Sequence, residues 1–297
     1  MELANVLEKI NSTNRSLIIR DNDTIKNYKI AQVKNKVIHG DALDVLKKID
    51  DETIDAIFID PPYFLQLSNK KLRRWNVKTA IDGVNDAWDK FGSFEEYDLF
   101  IKHLLLEVKR VMKDNATIWV IATYHSIFRI GKIMQDLGFW ILNDVIWVKT
   151  NPMPNWLGVR FTNATETLIW AVKDKKAKKY TFNKNYAYEF GLGKIGSNVW
   201  QMPICSRKER LKDKEGKKIH TTQKPVELLK RVILTSTKEG DVILDPMAGV
   251  GTTGYVAKAL NRNFIMIEIN EKYIQAIEER FKNPLIRQNH LIFAKGL

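Results

Sequence analysis

Apolar residues along the chain fall into two kinds of pattern. Short, mainly apolar runs recur at 36–39, 54–59, 116–122, 139–148, 166–172, 242–245 and 264–268. Runs of this length, rich in β-branched and aromatic side chains, suit strands of a sheet buried on both faces. Between them lie segments whose apolar positions are three or four apart. In 94–112, Phe100, Leu104, Val108 and Val111 make one face of a helix. Further helices are expected over 42–49, 128–137, 226–235, 255–260 and 271–281. Strands alternating with helices of this kind predict an α/β fold with a mainly parallel sheet, in which 139–148 and 166–172 are the paired strands at its far edge. Residues 1–34 are polar, interrupted only by Ser16-Leu17-Ile18-Ile19, and predict a loosely docked arm with ordered structure starting at Lys36.

Charge narrows the class of partner. The 297 residues carry 48 Lys and Arg against 35 Asp and Glu, a net charge of +13, which favours a polyanion. A merely soluble basic protein would show the same balance. No run of eighteen apolar residues and no signal peptide is present, which predicts a soluble, cytoplasmic protein away from membranes. The single cysteine, Cys205, excludes an intramolecular disulfide and a multi-cysteine zinc site, and no cluster of metal ligands is expected.

The candidate chemistry sits at strand ends. The run 54–59 leads into Asp60-Pro61-Pro62-Tyr63. In an open α/β sheet, ligands bind beyond the carboxyl ends of the strands. Two prolines stiffen the turn and remove two N–H donors, which leaves an acceptor cluster of the Asp60 carboxylate and the Pro61 carbonyl beside the Tyr63 ring. Such a cluster suits an exocyclic amine on a flat heterocycle. Its plainer reading is a strand-terminating turn with an Asp cap. A second strand, 242–245, runs into Asp245-Pro246-Met247-Ala248-Gly249-Val250-Gly251-Thr252-Thr253-Gly254, where Gly249 and Gly251 permit a tight turn and close approach of the backbone to a ligand. Glu268 ends the next strand, nineteen residues after Gly249, near the spacing at which an acid reaches a ribose hydroxyl. The strand before the first motif ends in Gly40-Asp41, and Asp41 reads equally as a helix N-cap.

Asp60-Pro61-Pro62-Tyr63 resembles the catalytic motif of the amino-methylating DNA methyltransferases, which act on adenine N6 or cytosine N4, and Asp245 to Thr253 resembles their S-adenosylmethionine loop, with Met247 where Phe is commoner. The catalytic motif precedes the cofactor loop by some 185 residues, an order similar to the beta class of these enzymes. The likeness is closest to the cell-cycle-regulated adenine methyltransferases that modify GANTC, through Asp86-Ala87-Trp88-Asp89, 139–144 and Asn151-Pro152-Met153-Pro154-Asn155. That group continues into an extra carboxy-terminal DNA-binding domain, whereas this sequence ends at Leu297.

The resemblance implies a circularly permuted, Rossmann-like methyltransferase fold over 35–297, with a DNA-contacting loop at about 64–91 and a target-recognition region at about 149–219. It implies catalysis by Asp60, Pro61, Pro62 and Tyr63. It implies S-adenosylmethionine against Asp41, Ala42, Asp60, Thr222, Lys224, Asp245, Met247, Ala248, Gly249, Gly251, Thr252, Thr253, Glu268 and Ile269. Lys224 and Thr222, in His220-Thr221-Thr222-Gln223-Lys224-Pro225 at the start of a helix, suit the carboxylate of the cofactor's methionine. Asp rather than Ser at position 60 favours adenine; cytosine N4 methylation and a catalytically inactive DNA-binding relative stay open. Cytosine C5 chemistry needs a thiolate, and Cys205 is out of place for it. Double-stranded DNA is the expected partner, held through Lys70, Lys71, Arg73, Arg74 and Trp75, through Asn155 and Arg160 in a segment that reads equally as a proline-ordered connection, and through Arg207 and Arg210 in 183–219, which has no strong periodicity and whose plainer reading is a disordered charged insertion. Tyr124, at the end of 116–122, is a candidate to line the pocket, whereas His125 beside it reads first as plain structure at a strand end. A homodimer and a cognate restriction endonuclease remain open as partners.

Overall fold

The order of the strands, more than their number, positions the site. The structure of the protein is a computed structural model that describes residues 16–64, 91–155, 158–206 and 209–282. Its strands are β1 (Ile18–Arg20), β2 (Lys36–His39), β3 (Ile54–Ile59), β4 (Met112–Ala122), β5 (Trp140–Lys149), β6 (Thr165–Val172), β7 (Val199–Met202), β8 (Val242–Asp245) and β9 (Asn263–Glu268). They form one sheet in the order β1-β2-β9-β8-β3-β4-β6-β5-β7. β8 and β9, late in sequence, therefore fill the centre between β2 and β3, which is the expected permutation. All pairings are parallel except those of β6, which runs against both β4 and β5.

Alternation along β3 divides the core into two layers. Ile57 and Ile59 point into a cluster with Val33, Leu46, Leu104 and Ile130, contributed by α1 (Ile30–Val33), α2 (Ala42–Lys48), α3 (Phe94–Val111) and α4 (Ile127–Asp136). Ala56 and Phe58 point into the other, with Leu229, Val256 and Ile277 from α6 (Val226–Ser236), α7 (Thr252–Ala259) and α8 (Glu271–Lys282). β3 is buried on both faces from Ala56 to Ile59, as its apolar run requires, with Asp55 half-buried at its start. In α3 most of the expected stripe is present: Leu104, Val108 and Val111 are buried, joined by Tyr97, Ile101 and Leu105, while Phe100 is half-buried.

Three expectations are corrected. Order begins before Lys36, because Ile18, Ile19 and Arg20 pair with Val37, Ile38 and His39 to make an edge strand. Polarity concealed it, since an edge strand leaves one row of backbone groups to water and needs few apolar residues. The region 183–219 is not free of regular structure: it supplies α5 (Lys184–Phe190) and β7, which pairs with β5. The far edge of the sheet is therefore β7 rather than the β5–β6 pair.

Candidate active site

β3 delivers Asp60-Pro61-Pro62-Tyr63 to the wall of a cavity of about 620 Å³. The turn is held from behind, since Tyr97 Oη donates to the Pro62 carbonyl at 2.8 Å. Phe64 follows at φ +50°, a left-handed conformation uncommon for a bulky residue, and its ring packs on Phe91, Phe94 and Tyr97. That aromatic packing fixes the direction in which the turn leaves the strand.

The Asp60 carboxylate is not alone. Lys224 Nζ donates to Asp60 Oδ2 at 2.7 Å and lies 3.9 Å from Glu166 Oε2. The Tyr63 hydroxyl is 2.9 Å from Asp60 Oδ1 and 3.1 Å from Glu166 Oε2, so its single proton serves one of two acceptors. Lys149 completes the cluster at 2.9 Å from Glu166 Oε1. Two carboxylates and two ammonium groups thus balance in a site where Lys224 is 8% exposed. Burial pushes the Asp60 carboxyl above its ordinary value, against the pull of Lys224. Burial acts to lower Lys224, but Asp60 and Glu166 outweigh it and the ammonium is held above its usual value. For Glu166, burial acts upward, and Lys224 and Lys149 overcome it to bring the carboxyl down.

The loop after β8 is built differently. Asp245 Oδ1 accepts from the Met247 N–H at 3.0 Å, and Oδ2 accepts from Thr253 Oγ1 in the first turn of α7. With no cation this close, burial pushes Asp245 up to about 7. Gly249 and Gly251 have φ of +53° and +73°. A Cβ on Gly249 would stand 3.0 Å from His220 Nε2, and one on Gly251 2.9 Å from an Ile277 carbon. The glycines are therefore required by positive φ and by protein neighbours as well as by any ligand. Glu268 ties the loop to β9, with Oε2 accepting from the Gly249 N–H at 2.8 Å and Oε1 from the Asn270 N–H at 2.7 Å; burial pushes it up to about 7. His220 lies beneath this loop, its pKa driven down to about 3 by burial and then by Lys224 and Arg210, and its Nδ1 accepts from the Thr222 N–H.

Most of the predicted residues meet in one place. Asp41, Ala42, Asp60 to Tyr63, Thr222, Lys224, Asp245, Met247 to Gly249, Thr252, Thr253, Glu268 and Ile269 all line the cavity. Asp41 also caps α2, accepting from the Leu43 and Asp44 N–H groups, so its N-cap reading holds while it stands on the cavity wall. Gly251 instead supplies the left-handed N-cap of α7.

Other expectations change. Lys224, expected to meet a cofactor carboxylate, is ion-paired with Asp60, because the segment before α6 crosses to the end of β3. Arg210 donates to the carbonyls of Cys205, His220 and Thr221, so it clamps its own loop rather than facing DNA. Tyr124 and His125 stack on each other at 4.1 Å and are not among the residues lining the cavity. Arg160 donates to Tyr124 Oη, just past the carboxyl end of β4, and Asn155 Nδ2 donates to the Arg160 carbonyl. Lys70, Lys71, Arg73, Arg74, Trp75, Asp86-Ala87-Trp88-Asp89 and Arg207 lie outside the described residues. Cys205 is buried, and burial followed by Glu209 pushes its thiol up to about 12, which removes it as a nucleophile.

Glu166 was not identified from sequence. It sits at the amino-terminal end of β6, and because β6 alone runs in reverse, that end reaches the edge where Asp60 lies. The only signal was a carboxylate at the head of an apolar strand, with Lys149 at the tail of its partner β5.

A cofactor loop and an acceptor turn facing one cavity across the β3–β8 pairing define a class. The DNA methylase family N6_N4_Mtase matches residues 54–279, and the chain belongs to it. It is 52% identical over 248 residues, 84% of this chain and 68% of the relative, to the Type II methyltransferase M.HinfI of Haemophilus influenzae. It is 41% identical over 251 residues, 84% of this chain and 91% of the relative, to the Type II methyltransferase M2.DpnII of Streptococcus pneumoniae. Among solved structures, the M1.HpyAVI–SAM complex superposes with a TM-score of 0.59 at 25% identity, covering 83% of this chain and 98% of that one. The cytosine-N4-specific PvuII DNA methyltransferase shares the fold, with a TM-score of 0.65 at 19% identity over 86% and 89% of the two chains.

The cofactor is S-adenosylmethionine, and the residues present fit it. Glu268 and Asp41 put carboxylates at two adjacent strand ends for hydroxyl and amine groups, Ile267 and the 60% exposed Ile269 offer an apolar wall for a flat base, and the glycine turn leaves the cavity unblocked between them.

Proposed function

We propose that the chain methylates N6 of adenine in duplex DNA, on a base flipped out of the helix. The observation that carries this reading is the Asp60-Pro61 turn at the end of β3, which lines the same cavity as the cofactor loop and brings the acceptors, the Asp60 carboxylate and the Pro61 carbonyl, to that edge. When bound, S-adenosylmethionine supplies an electrophilic methyl on its sulfonium. The work of the chain is then to aim the amine. Asp60 and the Pro61 carbonyl accept its two hydrogens, which turns the nitrogen lone pair away from them and stabilises positive charge as it develops on the nitrogen. Tyr63 lies beside them as a stacking face. Asp at position 60 favours adenine over cytosine.

Nucleoside analysis of DNA methylated by the purified chain tests the target base. N6-methyladenine is the expected product, and N4-methylcytosine in its place refutes the choice of adenine. Sequencing the modified positions tests GANTC as the first candidate site. The proposed phosphate contacts of Lys70, Lys71, Arg73 and Arg74 have their own measure. Neutralising all four should flatten the salt dependence of DNA binding by a slope of about 0.9 per lost contact, with little change in specificity. A single substitution that relaxes specificity at one base pair, at about 1–3 kcal/mol, marks a reading residue instead. The Type II relatives support a setting beside a cognate restriction endonuclease.

A further inference from the structure

The Lys224 ammonium makes two contacts that a target amine would need. It donates to Asp60 Oδ2 at 2.7 Å and stands 5.0 Å from the centre of the Tyr63 ring. An exocyclic amine on a stacked heterocycle would donate to the same carboxylate beside the same ring. We propose that Lys224 is a placeholder for the target amine, occupying Asp60 while the site is empty and shifting to Glu166 when the base enters. This rests on the reading of Asp60 as an acceptor for the amine.

The surroundings give the lysine a second position. Glu166 Oε2 is already 3.9 Å from Lys224 Nζ, and Lys149 holds the other oxygen of the same carboxylate at 2.9 Å. The Tyr63 hydroxyl, between Asp60 Oδ1 and Glu166 Oε2, can give its proton to either side as the ammonium moves. A lysine has a flexible stem and a compact charge, so a short swing changes its partner without changing its depth. Leaving the site altogether would leave two buried carboxylates with Lys149 as their one paired cation, which is strongly unfavourable. Moving onto Glu166 keeps the cluster balanced and releases Asp60 to the amine.

The charge of Asp60 depends on the same arrangement. Only an ionised carboxylate accepts without donating. The groups facing Asp60 are Lys224 from the segment before α6, Glu166 from β6, Tyr63 from its own turn, and Asp245 from β8, with Lys149 acting through Glu166. Lys224 is the cation among them in direct contact. Its removal lets burial push Asp60 further up, so the acceptor form is reached only at a higher pH than in the parent. Lys224 is thus a positioning residue, and Glu166 positions Lys224.

Single-turnover methylation as a function of pH, with cofactor affinity by calorimetry, tests this on the full chain. Lys224→Met should lose about tenfold or more at neutral pH, with the acid limb displaced upward by about one pH unit or more and cofactor affinity within about threefold of the parent. Lys224→Arg, which keeps the charge, should return the acid limb toward that of the parent. Glu166→Gln preserves size and removes the second anion, so it should slow turnover about tenfold at neutral pH with the acid limb displaced downward, the opposite direction to Lys224→Met, because the Glu166 charge raises Asp60. A Lys224→Met profile that superimposes on the parent overturns the placeholder. So does one whose acid limb is unmoved while cofactor affinity collapses, which assigns Lys224 to the cofactor carboxylate. Wild-type turnover by Glu166→Gln also overturns it, and decides the matter should Lys224→Met fail to fold. Asp60→Asn serves as the separate control: undiminished activity there refutes the reading of Asp60 itself, whatever Lys224 does.

Discussion

β3 and β8 lie side by side, and each runs from a buried apolar stretch into an Asp-Pro pair, Asp60-Pro61 and Asp245-Pro246. The two carboxylates face one cavity but are satisfied in different ways. Asp245 is held by donors of its own loop, the Met247 N–H and the Thr253 hydroxyl, and so serves to shape the turn. Asp60 is held by Lys224, from 164 residues away in sequence, and by the Tyr63 hydroxyl. A carboxylate satisfied locally is committed to its loop, whereas one satisfied by a distant flexible cation can exchange that partner for a ligand.

The largest expected effect breaks the Asp60 side alone. Asp60→Ala should lower single-turnover methylation by about 10²- to 10³-fold or more while cofactor affinity stays close to that of the parent. Activity within about tenfold of the parent would remove Asp60 from the chemistry. The next breaks the Asp245 side. Gly249→Val places a β-branched residue at φ +53° with its Cβ against His220 Nε2, strain on the order of 1–3 kcal/mol. Calorimetry should show cofactor binding weakened by about tenfold or more, and an unchanged affinity refutes the role of the loop.

A third prediction sharpens the contrast through pH. Asp245 and Glu268 are both raised to about 7 by burial, with no cation as close as Lys224 is to Asp60. Between about pH 4 and pH 7 the folded chain therefore binds more protons than the unfolded chain, so these two groups make stability fall as pH rises through that window and cost most above it. At most, Glu268 costs on the order of 3 kcal/mol and Asp245 on the order of 4 kcal/mol. Thermal melts of the cofactor-free protein should show a shallower fall across this window for Glu268→Gln than for the parent. Parallel curves for the two proteins count against the assignment. The smallest effect belongs to Tyr63→Phe, which keeps the ring and removes the hydroxyl shared by Asp60 and Glu166. A loss of about 1 kcal/mol, roughly fivefold in rate, is expected, and a loss as large as that of Asp60→Ala would give the hydroxyl a direct part in catalysis.

Local sequence by itself determined the strands that are buried on both faces, the amphipathic α3, both Asp-Pro turns and the glycine loop. Each of these is set by side chains a few positions apart: apolar runs select strands, Pro61 and Pro62 stiffen one turn, and Gly249 and Gly251 permit the positive φ of the other. The order of the motifs also announced the permuted sheet. Only the tertiary structure decided that Ile18–Arg20 joins the sheet, that Arg210 binds carbonyls of its own loop, and that Lys224 meets Asp60. Glu166 illustrates the reason. Nothing within several residues of it distinguishes an exposed strand-end carboxylate from a catalytic neighbour, and it reaches the site because β6 is antiparallel and Lys149 from β5 neutralises it there. The partner of a buried charge is chosen by the strands and loops that close over it, often from far away in sequence, and local pattern carries no record of that choice.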